Sequence, residues 1–441
     1  MKGINTSPPS GARDFLPEDV KFREEIFASI KGAFEGFGFV PIDTPAFERI
    51  EVLMGKYGAE AEKLIYKILK RGKQAETGEV DLALRYDLTI PFARVVTQYR
   101  NELPSIFKRY QIGPVWRADR PGRGRFREFY QCDIDIVGTA SRIADAEIIL
   151  ALSSALNAVG VEGFTIKLNS RKALIGLLES YNISENLRNG VLVALDKLDK
   201  IGVEGVGQEL NSLELSRDTV KQIVDDILAP DAEAVIRERL RLSEMGREGL
   251  AEVDEIISLA RPLLKKGSIA FSPFLARGLD YYTGFIFEIF GNELGSSIAS
   301  GGRYDNLLSM FSKTPTPACG GSLGIERIIM LIEADGSRKK KMQPAQVFVA
   351  VWNDDFRAEA LRMAAELRDK GLKTEVYLGT QGIGRQLKYA SEKGIPFSIL
   401  FGPDEATRNE VAIKNMQTGQ QVLVPRDRLI AHLLGELELE G

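Results

Sequence analysis

Phe126-Arg127-Glu128-Phe129-Tyr130-Gln131-Cys132-Asp133-Ile134-Asp135-Ile136-Val137 is the stretch whose reading decides the fold. It reads as a β-strand, and side chains alternate across a strand. Gln131, Asp133 and Asp135 therefore share one face, while Tyr130, Cys132, Ile134 and Ile136 share the other. Three polar groups opposite an apolar face describe either a wet sheet surface or a ligand platform. Upstream, Phe107 to Trp116 also reads as a strand, and a loop rich in Gly, Pro and Arg separates the two. The pair is expected to form a long antiparallel hairpin. Arg117, at the end of its first strand, weighs toward the platform, and Cys132 on the apolar side reads as core.

Around this hairpin, residues 1–162 read as mixed α/β. A helical stretch (Val20 to Phe34) leads into Gly38-Phe39-Val40-Pro41-Ile42-Asp43-Thr44-Pro45, whose prolines suit a sheet edge or an interface. Residues 163–266 are mostly helical after a short strand, with amphipathic runs such as Leu187 to Leu198 and Ala232 to Leu242. Residues 267–335 return to Gly-rich strand-then-helix sequence. Residues 344–435 alternate strand and helix (Val347 to Val351, Arg357 to Lys370, Lys373 to Leu378, Gly384 to Lys393, Phe397 to Phe401), which predicts a compact α/β domain with a largely parallel sheet.

A chain of 441 residues needs more than one core, so two or three domains are expected. The N-terminus lacks a signal-peptide core, and no apolar run approaches the ~20 residues of a membrane span. Two cysteines, Cys132 and Cys319, make neither a disulfide framework nor a metal cluster, so a reducing, cytoplasmic setting is expected. The net charge of −4 excludes a bulk polycation. A local basic patch exists nonetheless: Arg117, Arg120, Arg123, Arg125 and Arg127. The single histidine, His432, lies near the C-terminus, where a packed or solvated side chain is the simplest reading. Mechanisms built on a Ser-His-Asp triad, a His-based metal site or a Cys-His pair are thereby excluded from the rest of the chain. Catalysis must run on arginine, carboxylates, hydroxyls and the substrate's own groups.

Three further segments carry chemistry. Ala276-Arg277-Gly278-Leu279-Asp280-Tyr281-Tyr282-Thr283-Gly284 places a fixed cation beside phenol hydroxyls, which suits a small anionic or zwitterionic ligand; alone, it is also a Gly-flanked aromatic turn. In Leu84-Arg85-Tyr86-Asp87-Leu88-Thr89-Ile90-Pro91, Asp87 and Thr89 share a face if the segment is extended, and carboxylate plus hydroxyl suits an ammonium group. An Asx or ST turn before Pro91 is the alternative. Gly301-Gly302-Arg303-Tyr304-Asp305 and then Gly320 to Leu331 read as glycine-paved strand running into helix, with Arg327 placed to meet phosphate. A close-packed strand–helix junction with a surface arginine reads equally well. No Walker or Rossmann fingerprint occurs, so a nucleotide would be held by arginines.

In this order the pieces resemble the signature motifs of class II aminoacyl-tRNA synthetases: Gly38 to Phe47 as motif 1, Trp116-Arg117-Ala118-Asp119 with its loop and return strand as motif 2, and Gly320 to Leu331 with Glu326-Arg327 as motif 3. Segment 276–284, Phe129 to Asp135, Leu84 to Phe92 and Ser10 to Pro17 resemble the histidyl-tRNA synthetase family in particular, over essentially the whole chain. Asp119 stands where the motif 2 signature has Glu, and Asp135 where many bacterial relatives carry Glu, so both carboxylates reach less far.

The resemblance implies an α/β fold: an α+β catalytic domain (1–162 and 267–335) with an antiparallel sheet flanked by helices, a helical insertion (163–266) and a C-terminal anticodon-binding domain (344–435). It implies ATP-dependent attachment of L-histidine to tRNA-His through a histidyl-adenylate. Asp87, Thr89 and Gln131 would hold the α-amino group. Asp135 and Tyr282 would read the imidazole, with Tyr281 and Tyr304 lining the pocket. Arg117, with Asp119, would serve ATP at its α-phosphate and Arg327 at its γ-phosphate. Arg277 would lie between the histidine carboxylate and the α-phosphate. Arg120, Arg123 and Arg125 would touch the tRNA acceptor end, and Arg385, Lys388 and Lys393 the anticodon stem. Mg²⁺ would accompany ATP, and motif 1 implies a homodimer.

Three rivals stand beside this reading. They are a non-catalytic relative such as the regulatory subunit of ATP phosphoribosyltransferase, a class II synthetase for glycine, threonine or proline, and a pure RNA-binding module. The intact 276–284 segment together with the C-terminal domain weighs against the first, the tyrosine pair with Asp135 against the second, and the Arg277/Arg327 arrangement against the third.

Overall fold

A computed structural model of the chain describes residues 4–54, 62–276, 282–291, 297–312, 314–336 and 345–439. They fall into two compact units, one within Met1–Phe15 and Arg23–Lys339, the other within Leu16–Phe22 and Lys340–Gly441.

The larger unit is organised by an eight-stranded sheet. Its strands are β1 (Val40–Pro41), β5 (Phe107–Trp116), β6 (Glu128–Val137), β7 (Thr165–Ser170), β8 (Ser268–Phe271), β9 (Phe285–Phe290), β10 (Ser297–Arg303) and β11 (Ala318–Gly324). They lie in the order β1-β5-β6-β11-β10-β9-β7-β8. The five inner pairings are antiparallel, and only the edge strands β1 and β8 pair in parallel. The proline-bearing β1 takes an edge because Pro41 has no N–H to give a second neighbour. A separate three-stranded sheet joins β2 (Phe47–Arg49), β4 (Val80–Leu84) and β3 (Lys67–Leu69).

The predicted hairpin is β5–β6, registered from Phe107↔Val137 to Trp116↔Glu128. The apolar face of β6 is covered: Cys132 and Ile134 are fully buried. Behind the sheet, the helix Arg142–Ala158 contributes Ile148, Ile149, Leu152 and Leu156 to the core. Sheet faces that are both covered require nearly continuous apolar strands, and β9 is one, with Phe285, Ile286, Phe287 and Ile289 buried. Between β7 and β8 the chain is helical, from Arg171–Ser180 to Glu244–Ala260. Both flanking strands belong to the main sheet, so the helical block is tied to it at both ends.

The smaller unit has a five-stranded sheet in the order β13-β12-β14-β15-β16 (Thr374–Val376, Val347–Val349, Phe397–Leu400, Glu410–Asn415, Gln421–Pro425). β12 pairs in parallel with β13 and β14 as expected, but β15 and β16 are antiparallel additions. The sheet is therefore half parallel. The reason is local: β15 and β16 form a hairpin closed around Gly419, which has a φ of 76° and needs no crossover helix. Among the described residues, no helix is long and apolar enough to cross a membrane.

Candidate functional site

Three neighbouring strands build one wall of a cavity of about 1080 Å³. Gln131, Asp133 and Asp135 project into it from β6, Gly320 and Ser322 from β11, and Ser300 from β10. Register explains the grouping: Gln111, Asp133 and Ser322 lie side by side, as do Arg109, Asp135 and Gly320 one step further along. The period-two reading of this strand therefore holds at side-chain level.

Asp135 is 2% exposed and anchored twice. Arg109, wholly buried on β5, brings Nη2 to 2.5 Å from Oδ2, and the Tyr304 hydroxyl donates to Oδ1. Burial raises the Asp135 carboxyl above its usual range, with Arg109 and Tyr304 opposing. Glycine at 320 makes the arrangement possible, since a Cβ there would stand 2.1 Å from Asp135 Oδ1. Glycine at 302 does the same for Tyr282, whose ring would lie 2.9 Å from a Cβ. The rings of Tyr282 and Tyr304 are 6.5 Å apart, and both line the cavity. Gln131 donates to Ser322 Oγ at 3.3 Å, leaving its own buried Oε1 without a partner among the described residues.

Asp87 and Thr89 also line the cavity, but the backbone there is not extended. Thr89 opens the helix Thr89–Gln98, and Asp87 Oδ1 accepts the Ile90 N–H at 3.1 Å. Proline at 91 is compatible because the first turn of a helix needs no N–H from it. The two side chains reach one cavity by turning with the chain rather than by sharing a strand face.

Arg117 follows β5 and faces the cavity. Its Nε donates to the Tyr86 carbonyl at 3.0 Å, and its guanidinium lies 4.2 Å from the Tyr86 ring centroid and 5.2 Å from that of Phe129. Asp119 lies beside it and accepts from Arg125 at 2.8 Å. Arg120, Arg123 and Arg125 are exposed on the loop, and of the three only Arg125 reaches the cavity. Arg327, in the helix Ile325–Asp335, lines the cavity and donates to the Ser297 carbonyl at 2.5 Å. Arg277 and Tyr281 lie outside the described residues.

Several supporting groups escaped the sequence reading. Arg109 looks like an ordinary strand residue; only its register opposite Asp135 reveals it, and alternation with Gln111 was the available signal. Glu326 is held by Arg23 at 2.8 and 3.0 Å and by Arg13 at 2.5 Å, so these two arginines brace the helix that carries Arg327. Burial alone would raise the Glu326 carboxyl, but the two arginines together hold it below its usual value. Arg303 is buried on Asp145 at 2.5 Å, and its carbonyl accepts the Thr283 N–H at 2.7 Å, which fixes the chain beside Tyr282. In the smaller unit, Arg385 and Lys388 are exposed, whereas Lys393 is tied to Glu375 at 2.7 Å.

Among the described residues, no set of three or more His, Cys, Asp or Glu side chains is arranged to hold a metal ion. Cys132 and Cys319 are buried, and burial raises both thiols well above their usual range.

Comparison with known proteins finds a family described as histidyl-tRNA synthetase matching residues 11–328 and one described as anticodon binding domain matching 346–436. A histidine–tRNA ligase of Christiangramia forsetii is 39% identical, covering 94% of this chain and 96% of its own length. The crystal structure of a histidyl-tRNA synthetase from Nostoc sp. PCC 7120 superposes with a TM-score of 0.80 at 31% identity, covering 98% of this chain and 100% of that one. A Bacillus halodurans structure described as an ATP phosphoribosyltransferase regulatory subunit/histidyl-tRNA synthetase superposes with a TM-score of 0.71 at 25% identity, covering 87% and 94%.

Proposed function

The chain belongs to the histidyl-tRNA synthetase family, and from that premise we propose that it attaches L-histidine to tRNA-His with ATP, through a histidyl-adenylate. The observation that carries the reading is one cavity lined together by Asp87, Gln131, Asp135, Tyr282, Arg117 and Arg327. Acceptors for an ammonium group, a polar end for a heteroaromatic ring and two guanidinium groups for phosphate are the parts an amino acid and ATP require at once.

In this proposal Asp87, Thr89 and Gln131 receive the α-ammonium group, whose three N–H donors match acceptors on a carboxylate, a hydroxyl and an amide. Asp135, Tyr282 and Tyr304, with Tyr281, form the imidazole end. A side chain lacking the ring nitrogens would leave these buried groups unpaired, which is the strongest available form of discrimination. Arg117, held by the Tyr86 carbonyl, takes the α-phosphate with Asp119 also at the ATP, and Arg327 takes the γ-phosphate.

A histidine carboxylate oxygen attacks the α-phosphorus, its new bond forming as the bond to pyrophosphate breaks. Arg117 and Arg277 stabilise the charge that grows on the phosphoryl oxygens, so catalysis is positional and electrostatic. The 3′-terminal ribose hydroxyl of tRNA then attacks the carbonyl carbon and AMP leaves. A non-bridging phosphate oxygen of the adenylate receives the proton. Mg²⁺ would accompany the triphosphate, where it would neutralise phosphate charge. Arg120, Arg123 and Arg125 meet the acceptor end, Arg385 and Lys388 the anticodon stem, and two chains form a homodimer in the cytoplasm.

The deciding experiment is pyrophosphate exchange into ATP, measured with each amino acid in turn. Exchange with histidine alone is expected, and an equal response to all amino acids refutes the assignment. A purely regulatory histidine sensor would bind histidine yet exchange nothing.

A further inference from the structure

A row of charges that lines no part of the cavity runs from the helical block into the main sheet. Glu252, in the helix Glu244–Ala260, is 3% exposed. One of its oxygens accepts from the hydroxyl of Ser170, the last residue of β7. The other lies 2.5 Å from Arg142 Nη1, a contact of charges without a hydrogen bond. Arg142 Nη1 also donates to Asp145 Oδ2 at 3.1 Å, and Asp145 Oδ1 accepts from Arg303 Nη2 at 2.5 Å. Arg303 in turn donates to Asp305 Oδ1 at 3.1 Å. Glu252, Asp145 and Arg303 are all buried. Taking such charges out of water costs about as much as their attraction returns, so a buried row that touches no substrate is better explained by the geometry it fixes.

What it fixes is a turn. The Gly284 carbonyl accepts the Arg171 N–H at 2.8 Å, one residue beyond Ser170, and the Thr283 N–H donates to the Arg303 carbonyl at 2.7 Å. The Thr283 hydroxyl accepts the Asp305 N–H at 3.0 Å. A Cβ at 284 would stand 3.0 Å from Glu252 Oε1 and 3.1 Å from Arg303 Cδ, so the backbone passes between the two ends of the row with little room to move. The residue before Thr283 is Tyr282, which lines the cavity.

Resting on the histidine-activating reading, we propose that Glu252 is a positioning residue for amino-acid recognition: with Arg142 and Ser170 it clamps residues 283 and 284, and so sets where the Tyr282 hydroxyl stands against the imidazole. Its carboxylate touches no substrate. The helical block thereby takes part in selecting the amino acid through its grip on that turn. Burial raises the Glu252 carboxyl, while the Ser170 hydroxyl and Arg142 oppose the rise, so both partners favour the charged form of the clamp.

The test is a double-mutant cycle in histidine-dependent pyrophosphate exchange. KM for histidine, KM for ATP and kcat are measured for the wild-type chain, Glu252→Gln, Tyr282→Phe and the double variant. Glu252→Gln keeps the size of the side chain and removes its charge. It is expected to raise KM for histidine about three- to thirtyfold, the range for a group coupled to a site it does not touch, with KM for ATP nearly unchanged. In the Tyr282→Phe background the same change should raise KM for histidine by less than about twofold, because the hydroxyl through which Glu252 acts is already gone. An unchanged KM in Glu252→Gln, equal rises for histidine and ATP, or a full multiplicative rise in the double variant overturns the proposal. The last two are what a general loosening of the fold produces. If Glu252→Gln does not fold, Arg142→Gln, at the partly exposed partner, goes through the same cycle and is read by the same outcomes. Failure of wild-type exchange with histidine would instead refute the functional reading beneath.

Discussion

The two halves of the β5–β6 hairpin use charge in opposite ways. At its base, Arg109, Asp133 and Asp135 are buried, and burial raises both carboxyls while Arg109 opposes the rise. At its tip, Arg120, Arg123 and Arg125 stand in solvent, and the Arg125–Asp119 pair has an arginine side chain 62% exposed. Buried charges hold a fixed geometry at a large desolvation cost; exposed ones are screened by salt and contribute little to stability. One hairpin thus joins a buried cluster of charges to an exposed basic tip.

The contrast can be broken most violently at the base. Arg109→Met removes the cation and leaves Asp135 buried with its charge uncompensated, which should destabilise the protein by about 3–5 kcal/mol in denaturant unfolding. A loss under 1 kcal/mol would mean the base is no more rigid than the tip. Between the two halves, Arg117→Ala should cut the histidine-dependent exchange rate by about a hundred- to a thousandfold while stability changes little; unaltered turnover would detach the junction from the chemistry. Tyr304→Phe strips one donor from Asp135 and should cost about 1–3 kcal/mol of stability, read in the same unfolding experiment.

A fourth comparison uses pH. The folded Asp133 carboxyl is raised, so in the range from about 4 up to 7 the folded chain holds a proton that the unfolded chain has lost, and stability declines as pH rises through that window. Asp133→Asn should therefore stabilise the fold at pH 8, with the gain shrinking toward pH 4. Glu326 runs the other way: its folded value is depressed, so its contribution is complete above about pH 4.3 and fades as acid protonates it. Equal unfolding midpoints for Asp133→Asn and wild type at pH 8 would contradict the first sign. The smallest effect belongs to the tip. Arg123→Ala with Arg125→Ala should shift stability by no more than about 0.5 kcal/mol, yet lower the salt dependence of tRNA binding by roughly 0.7–0.9 in log–log slope for each phosphate that is no longer neutralised.

Alternation along residues 128–137 made the hairpin and its polar face legible, because a period of two survives any tertiary context that keeps the strand. What stayed hidden depended on register. Nothing in the linear order tells that Arg109 meets Asp135, or that Arg13 and Arg23 close on Glu326 some 300 residues away. Asp87 and Thr89 were legible as residues but not as geometry, since Pro91 reads as a helix-breaker unless it falls within the first turn. The parallel half of the C-terminal sheet was announced by strand–helix alternation. Its antiparallel half was not, because a short hairpin leaves no helical spacer to count.

The bare backbone at residue 320 has a consequence for how this chain can change over generations. Any codon change that adds a side chain there drives an atom into the carboxylate of Asp135. The Ile134 carbonyl stands 2.6 Å from the same point, so even a lineage that exchanged the acid at 135 would inherit position 320 as glycine.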